Sequence, residues 1–205
     1  MSAILEKFVE AELFHNPMRA YFNGFKPFEH EAFGRQVQRL RQVQLEPYGI
    51  ADIVNIFHAD QEAREIIIQV IECKRDIVNL ATYAQAKRYL SALKVALRDF
   101  VAESESLGFT LQWECVLVGH RLDKSSDFVF VLNDDDACSV YTYQQVDGEL
   151  LFAAAGRNWG YDNKPSAAHV ALGQRIRAEA VAAWGKAAAE FAEYYATHDS
   201  QGAPL

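Results

Sequence analysis

Cysteine is scarce here: Cys73, Cys115 and Cys138 are the only three in 205 residues. They are too few and too scattered for a disulfide framework, and each lies in or beside a β-like segment, where a buried free thiol is the ordinary outcome. A reducing, cytoplasmic setting is the expectation. Long apolar runs are missing as well. None approaches the roughly 20 residues that a membrane-spanning helix requires. The opening residues, Met-Ser-Ala-Ile-Leu-Glu-Lys, bring in Glu6 early and hold no apolar core, which argues against a secretory signal. The six histidines (His15, His30, His58, His120, His169 and His198) show no ligand spacing, so no zinc site is expected. No phosphate loop or dinucleotide fingerprint occurs, and Ser125-Ser126 has no nucleophile-elbow context.

Positive charge is also in short supply. The net charge of −8 argues against indiscriminate binding to nucleic acid, whose affinity is largely electrostatic. The deficit is uneven: residues 35–98 hold ten Lys/Arg against seven Asp/Glu, a local +3, and the remainder carries −11. A neutral-to-basic stretch on an acidic protein suits site-restricted phosphate contact. Half of the residues are hydrophobic, which is ordinary for a globular chain, and the length suits one core, so a single domain over 1–205 is expected.

The elements follow from periodicity and punctuation. Residues 3–13 read as an amphipathic helix, interrupted by Asn16-Pro17, Gly24 and Pro27. Residues 28–43 read as a helix, with Phe33, Val37 and Leu40 on one side and Arg35, Arg39 and Arg41 on others. Residues 50–57 and 65–74 are rich in β-branched side chains and read as strands around a polar turn at 58–64. A helix is expected over 79–101, with Leu90, Leu93, Leu97 and Phe100 as its apolar stripe. Strands are expected at 110–120, 128–132, 139–145 and 149–154, the last two flanking the hairpin signal Asp147-Gly148. Asp134-Asp135-Asp136 reads as a solvated turn. Trp113, Trp159 and Tyr161 read as core or loop anchors. An alanine-rich helix from about 166 to 198 closes the chain, with Ser166 as its N-cap.

The chemistry gathers between residues 31 and 89. Side chains alternate along a strand, so Glu72 and Lys74 share a face and Cys73 points away. A hairpin folded near residue 62 pairs residues whose numbers sum to about 124, which sets Asp52 opposite Glu72 with Cβ atoms about 4.5–5.5 Å apart. Two carboxylates that close repel unless a cation lies between them, and Mg²⁺ or Mn²⁺ takes such oxygen ligands together with water and phosphate. Lys74 can balance the acids or contact a scissile phosphate, and the backbone carbonyl of Cys73 is a further candidate ligand. On the following helix Gln85, Arg88 and Tyr89 share one face, continued by Ala92 and Ala96. Gln85 is expected to orient Lys74 or water, and Arg88 to grip a phosphate in a bidentate way. Tyr89, Lys87 and Arg35 are further candidate substrate contacts. The plainer readings are an edge-strand turn acid at Asp52, a surface ion pair between Glu72 and Lys74, and a solvated helix face for Gln85, Arg88 and Tyr89.

The order Glu31, Asp52, Glu72-Cys73-Lys74, Gln85-Ala-Lys-Arg88-Tyr89 resembles the PD-(D/E)XK nuclease superfamily, over well under half of the chain. The Gln-x-x-x-Tyr tail is similar to branches that include Holliday-junction resolvases and RecB-type nucleases. Ala51 stands where a proline often precedes the first acid. The resemblance implies an α/β, restriction-endonuclease-like fold: a central mixed sheet flanked by helices, with a catalytic core at about 28–156, here followed by the long C-terminal helix. It implies hydrolysis of DNA phosphodiester bonds leaving a 5′-phosphate, with Asp52, Glu72 and Lys74 in the core roles. Glu31 would be the outer acid from the N-terminal helix, a role for which Glu29 and Glu46 compete. The setting would be repair, recombination or defence, with no membrane partner and, by analogy, a homodimer. A silent nucleic-acid-binding or assembly module on the same fold, or an RNA-directed nuclease, are the alternatives.

Overall fold

A computed structural model describes residues 6–32, 37–60 and 64–155, and six positions beyond them: 171, 175, 178, 179, 182 and 185. The chain divides into two compact units, Met1–Trp159 and Gly160–Leu205. In the second unit the six described positions are helical and exposed. The rest of the expected 166–198 helix lies outside the described residues, as do Arg157, Trp159 and Tyr161.

The first unit is built on a six-stranded mixed sheet in the order β1-β2-β3-β5-β7-β8. Its strands are β1 (Val37–Gln44), β2 (Ile50–Asp60), β3 (Glu65–Cys73), β5 (Thr110–Gly119), β7 (Cys138–Val146) and β8 (Glu149–Ala154). The first three form an antiparallel meander. β3 and β5 are parallel, as are β5 and β7, and β7 and β8 make the hairpin marked by Asp147-Gly148. The parallel step from β3 to β5 passes through a short β4 (Ile77–Val78), α4 (Leu80–Ala96) and α5 (Arg98–Ser106). A parallel pair cannot be joined by a tight turn, so it requires such a crossover. β6 (Arg121–Leu122) pairs with β4 beyond the end of the sheet.

Each face of the sheet is covered. α4 packs on one, where Val54, Ile68, Val70 and Leu117 meet Ala86, Leu90 and Leu93. The N-terminal α1 (Glu6–His15) and α2 (Pro17–Phe22) lie on the other, where Val9, Leu13, Ala20 and Phe25 meet Ile53, Ile71, Val116 and Tyr143. The turn after α2 is tied to the edge strand β8. Asn23 donates its side-chain amide to the Leu150 carbonyl at 3.1 Å and accepts the Phe152 N–H at 2.8 Å. Gly24 has φ 101°, and a Cβ there would fall 2.2 Å from the Phe152 carbonyl oxygen, so only glycine fits this approach.

Three expectations are corrected. Among the described residues of 28–43 only α3 (Glu29–Ala32) is α-helical, and Val37–Gln44 is an edge strand. Phe33, Val37 and Leu40 fit a helix by their spacing, but β2 offers 37–44 a ladder partner, and pairing decides the outcome. Residues 128–132 lie in a helix, α6 (Ser126–Asp134). Phe128, Val129 and Leu132 are buried while Phe130 is 72% exposed, which is helical rather than alternating burial. The 79–101 helix breaks at Leu97 into α4 and α5. The start of α4 is secured by a capping box, in which Asn79 accepts the Thr82 N–H at 3.1 Å and Thr82 Oγ1 accepts the Asn79 N–H at 3.5 Å. In addition, β2 runs to Asp60, past the expected end at 57, with an irregularity between His58 and Asp60.

Candidate active site

β2 and β3 pair from Ile53↔Ile71 to His58↔Ile66, the register of a hairpin centred near residue 62. The ladder stops at Ile53↔Ile71, one residue short of Asp52 and Glu72, and the Asp52 charge acts on Glu72 across that end. Both are buried, at 8% and 1% exposure. Asp52 Oδ2 accepts the backbone N–H of Cys73 at 2.8 Å, and Oδ1 accepts the Gln42 amide at 3.3 Å. Gln42 comes from β1 with φ 51°, a left-handed conformation unusual for a non-glycine residue inside a strand. Glu72 Oε1 accepts the Lys74 ammonium at 2.6 Å. Glu72 Oε2 is buried and has no hydrogen-bond partner. An ionised oxygen in that condition is costly and marks a place where a cation or donor fits.

The electrostatics follow from this crowding. Burial pushes Asp52 up to about 6, against the Cys73 N–H and the Lys74 charge, which lower it; Glu10 and Glu6 add to the rise. Burial, and then the Asp52 charge, push Glu72 up to about 7, although Lys74 pulls it down. For Lys74 itself, burial favours the neutral amine, but the bond to Glu72 and the surrounding carboxylates outweigh it and hold the ammonium above its usual value. An excess of negative charge around a fixed ammonium is an environment that attracts a divalent ion.

The acids that reach this charge cluster from the N-terminal helix are Glu6 and Glu10, not Glu31. Glu10 is 2% exposed and its Oε1 accepts from Arg41 Nε at 2.6 Å. Glu6 Oε2 accepts the backbone N–H of Arg75 at 3.3 Å. Glu31 instead bonds Arg39, whose guanidinium also reaches Asn55 Oδ1 at 3.2 Å and lies 4.5 Å from the Phe28 ring. A signal for Glu10 was present in the sequence: it sits beside Val9 on the helix face that Leu13 continues, so an acid falls within an apolar stripe.

The helix residues disperse. Gln85 donates to Tyr89 Oη at 2.9 Å rather than to Lys74. Tyr89 is buried in the α4-side core with Ala92, which corrects the expectation that it faces substrate. It supports the β1–β2 turn instead, because a Cβ on Gly49 would meet its hydroxyl at 2.8 Å. Arg88 is exposed, 5.5 Å from the Tyr89 ring centre. Lys87 pairs with Asp135 at 3.0 Å and is thereby drawn away from the acids. Arg35 lies outside the described residues. The Cys73 thiol is fully buried, and the backbone atom of Cys73 that touches Asp52 is its N–H. Asp52, Glu72 and Lys74 are thus brought together, Glu6, Glu10 and Gln42 join them, and Glu31, Gln85, Tyr89 and Lys87 find other partners.

No family model, no curated protein and no solved structure matches this chain. Among the described residues, no helix is long and apolar enough to cross a membrane.

Proposed function

We propose that this chain is a metal-dependent deoxyribonuclease of the PD-(D/E)XK kind, hydrolysing phosphodiester bonds in repair, recombination or defence. The observation that carries the reading is the orphaned, buried Glu72 Oε2 beside Asp52, with the Lys74 ammonium 2.6 Å from the other Glu72 oxygen. An all-oxygen donor set of two carboxylates suits Mg²⁺ or Mn²⁺, which Asp52 and Glu72 would hold, with the Cys73 carbonyl as a further candidate ligand. When bound, such an ion supplies positive charge beside the phosphodiester and acidifies water.

The chain's own residues supply the rest. The Cys73 N–H and the Gln42 amide fix the Asp52 carboxylate, so its orientation is set before any ligand arrives. Lys74 stays protonated and offers its charge to the developing negative oxygen on phosphorus. Water adds to phosphorus, the bond to the 3′-oxygen breaks, and the products are a 5′-phosphate and a 3′-hydroxyl. The exposed Arg88 contributes a guanidinium for a neighbouring phosphate.

The test is cleavage of supercoiled, linear and single-stranded DNA, and of RNA, in Mg²⁺, Mn²⁺ or EDTA. Wild-type protein cuts DNA only with metal, and Lys74→Ala loses about 10²-fold or more in rate while remaining folded by circular dichroism. A folded Lys74→Ala protein that cuts like wild type overturns the site. Cutting confined to RNA transfers the reading to an RNA-directed nuclease. Thermal stabilisation by Mn²⁺ that depends on Asp52, without cutting on any substrate, favours the silent binding module.

A further inference from the structure

The mechanism above uses none of the three thiols, only the Cys73 backbone, and the other two cysteines meet away from Asp52 and Glu72. Cys115 on β5 and Cys138 at the start of β7 are direct cross-strand partners, both buried. Asp135, three residues before Cys138, joins them: two thiol sulfurs and one carboxylate oxygen all lie within 4.8 Å of one another. We propose that Cys115, Asp135 and Cys138 form a binding site for Zn²⁺ or another thiolate-preferring divalent ion, separate from the carboxylate site.

Several features of the arrangement support a built site. The D-x-x-C spacing places two ligands on one tight turn, as paired cysteines do in zinc-binding turns. That turn is held by its own backbone: Cys138 N–H donates to the Asp135 carbonyl at 3.1 Å, and Ala137 N–H to Asp135 Oδ1 at 3.1 Å. The third ligand is anchored by the adjoining strand, since Cys115 N–H donates to the Ala137 carbonyl at 2.9 Å. Asp135 Oδ2 accepts from Tyr83 Oη at 2.8 Å and from Lys87 Nζ at 3.0 Å, both on α4. Outer partners of this kind orient a ligating carboxylate, and the Lys87 charge offsets the anionic excess of two thiolates and a carboxylate around one divalent ion. Sulfur ligands discriminate between metals: thiolates select zinc over magnesium or manganese, so the two sites take different ions. Among the described residues no fourth His, Cys, Asp or Glu joins the group, which leaves the fourth position to water. The Asp135 side chain is 17% exposed, so the group reaches solvent at that residue.

The test is a Co²⁺ titration of the full chain, freshly reduced, followed by absorption. A one-to-one thiolate-to-cobalt charge-transfer band is expected, abolished by one equivalent of Zn²⁺ and unaffected by excess Mg²⁺. Cys138→Ser and Cys115→Ser each remove the band, Asp135→Asn weakens Zn²⁺ binding at least 10-fold, and Glu72→Gln leaves band and affinity unchanged. Absence of a band in the folded wild-type protein overturns the proposal, as does a band that survives Cys138→Ser. If the serine variants fail to fold, Asp135→Asn decides: unchanged Zn²⁺ affinity excludes this ligand set. Because Glu72→Gln is the control, loss of the nuclease reading would leave this result untouched, and the converse also holds.

Discussion

Glu72 shows how much one side chain can hold in tension. Its carboxyl is buried at the end of β3, one oxygen on Lys74 and the other on nothing. Folding raises its pKa from the usual 4.5 to about 7, so the folded state holds the proton more tightly than the unfolded chain does. The stabilisation is therefore complete below about pH 4.5 and is lost as pH climbs through about 7. At about 1.4 kcal/mol per pH unit, that interval corresponds to a few kcal/mol. Asp52, raised to about 6, moves in the same direction. In EDTA, the thermal midpoint should fall between pH 5 and pH 8, and Glu72→Gln should flatten that fall while abolishing stabilisation by Mn²⁺. A metal-free midpoint that rises with pH, or a glutamine variant with the wild-type slope, would contradict this account of the site.

The strands carry a second polar device, on the face opposite α4. Arg39 on β1, Asn55 on β2, Gln69 on β3 and Glu114 on β5 form one row across four adjacent strands. Arg39 Nε donates to Asn55 Oδ1 at 3.2 Å, Asn55 Nδ2 to Gln69 Oε1 at 3.1 Å, and Gln69 Nε2 to Glu114 Oε2 at 3.2 Å. Asn55 and Gln69 are buried, and burial raises the Glu114 carboxyl above its ordinary pKa. Each strand in the row thus recognises its neighbour's register through a side chain as well as through the backbone ladder. A one-residue slip would turn these groups into the opposite, apolar face. Gln69→Leu should cost about 1–3 kcal/mol, because it strands buried groups on both sides. In urea denaturation, Asn55→Ala combined with Gln69→Leu should cost less than the sum of the single changes by at least ~0.5 kcal/mol. Strictly additive losses would show that the row is not a connected unit.

Across the first unit, four of the ten cations between residues 35 and 98 are already committed to buried or half-buried acids. Arg39 and Arg41 pair with acids from the N-terminal helices, Lys74 with Glu72, and Lys87 with Asp135. Counting charges along the chain therefore overstates the basic character of the face that a nucleic acid would meet. Taking Lys74, Arg75 and Arg88 as the phosphate contacts of the proposed function, about three phosphates are engaged, and log affinity for duplex DNA should fall against log salt with a slope of about −3. Fluorescence anisotropy of a labelled duplex, measured in EDTA between low and physiological salt, checks this. A slope several times steeper would require a basic track that the described residues do not contain.

Periodicity and the closure of one hairpin were enough to bring Asp52 near Glu72 at the end of the β2–β3 ladder and to set Lys74 on the Glu72 side. Strand alternation has a period of two, and a short connection leaves few registers to choose from. The β7–β8 hairpin and the cap of α4 were equally local, each written in two to four adjacent residues. Other features depended on contacts between segments distant in the chain. Residues 37–44 became a strand because β2 offered an edge, and 126–134 a helix because one side of it is buried. Glu31 went to Arg39 and Tyr89 to Gly49, while Glu6 and Glu10 arrived at the acids, because the packing of helices on each face is set by core shape rather than by local spacing. The meeting of Cys115, Asp135 and Cys138 has the same origin. It joins two parallel strands that no short turn can connect, so only the assembled sheet puts them side by side.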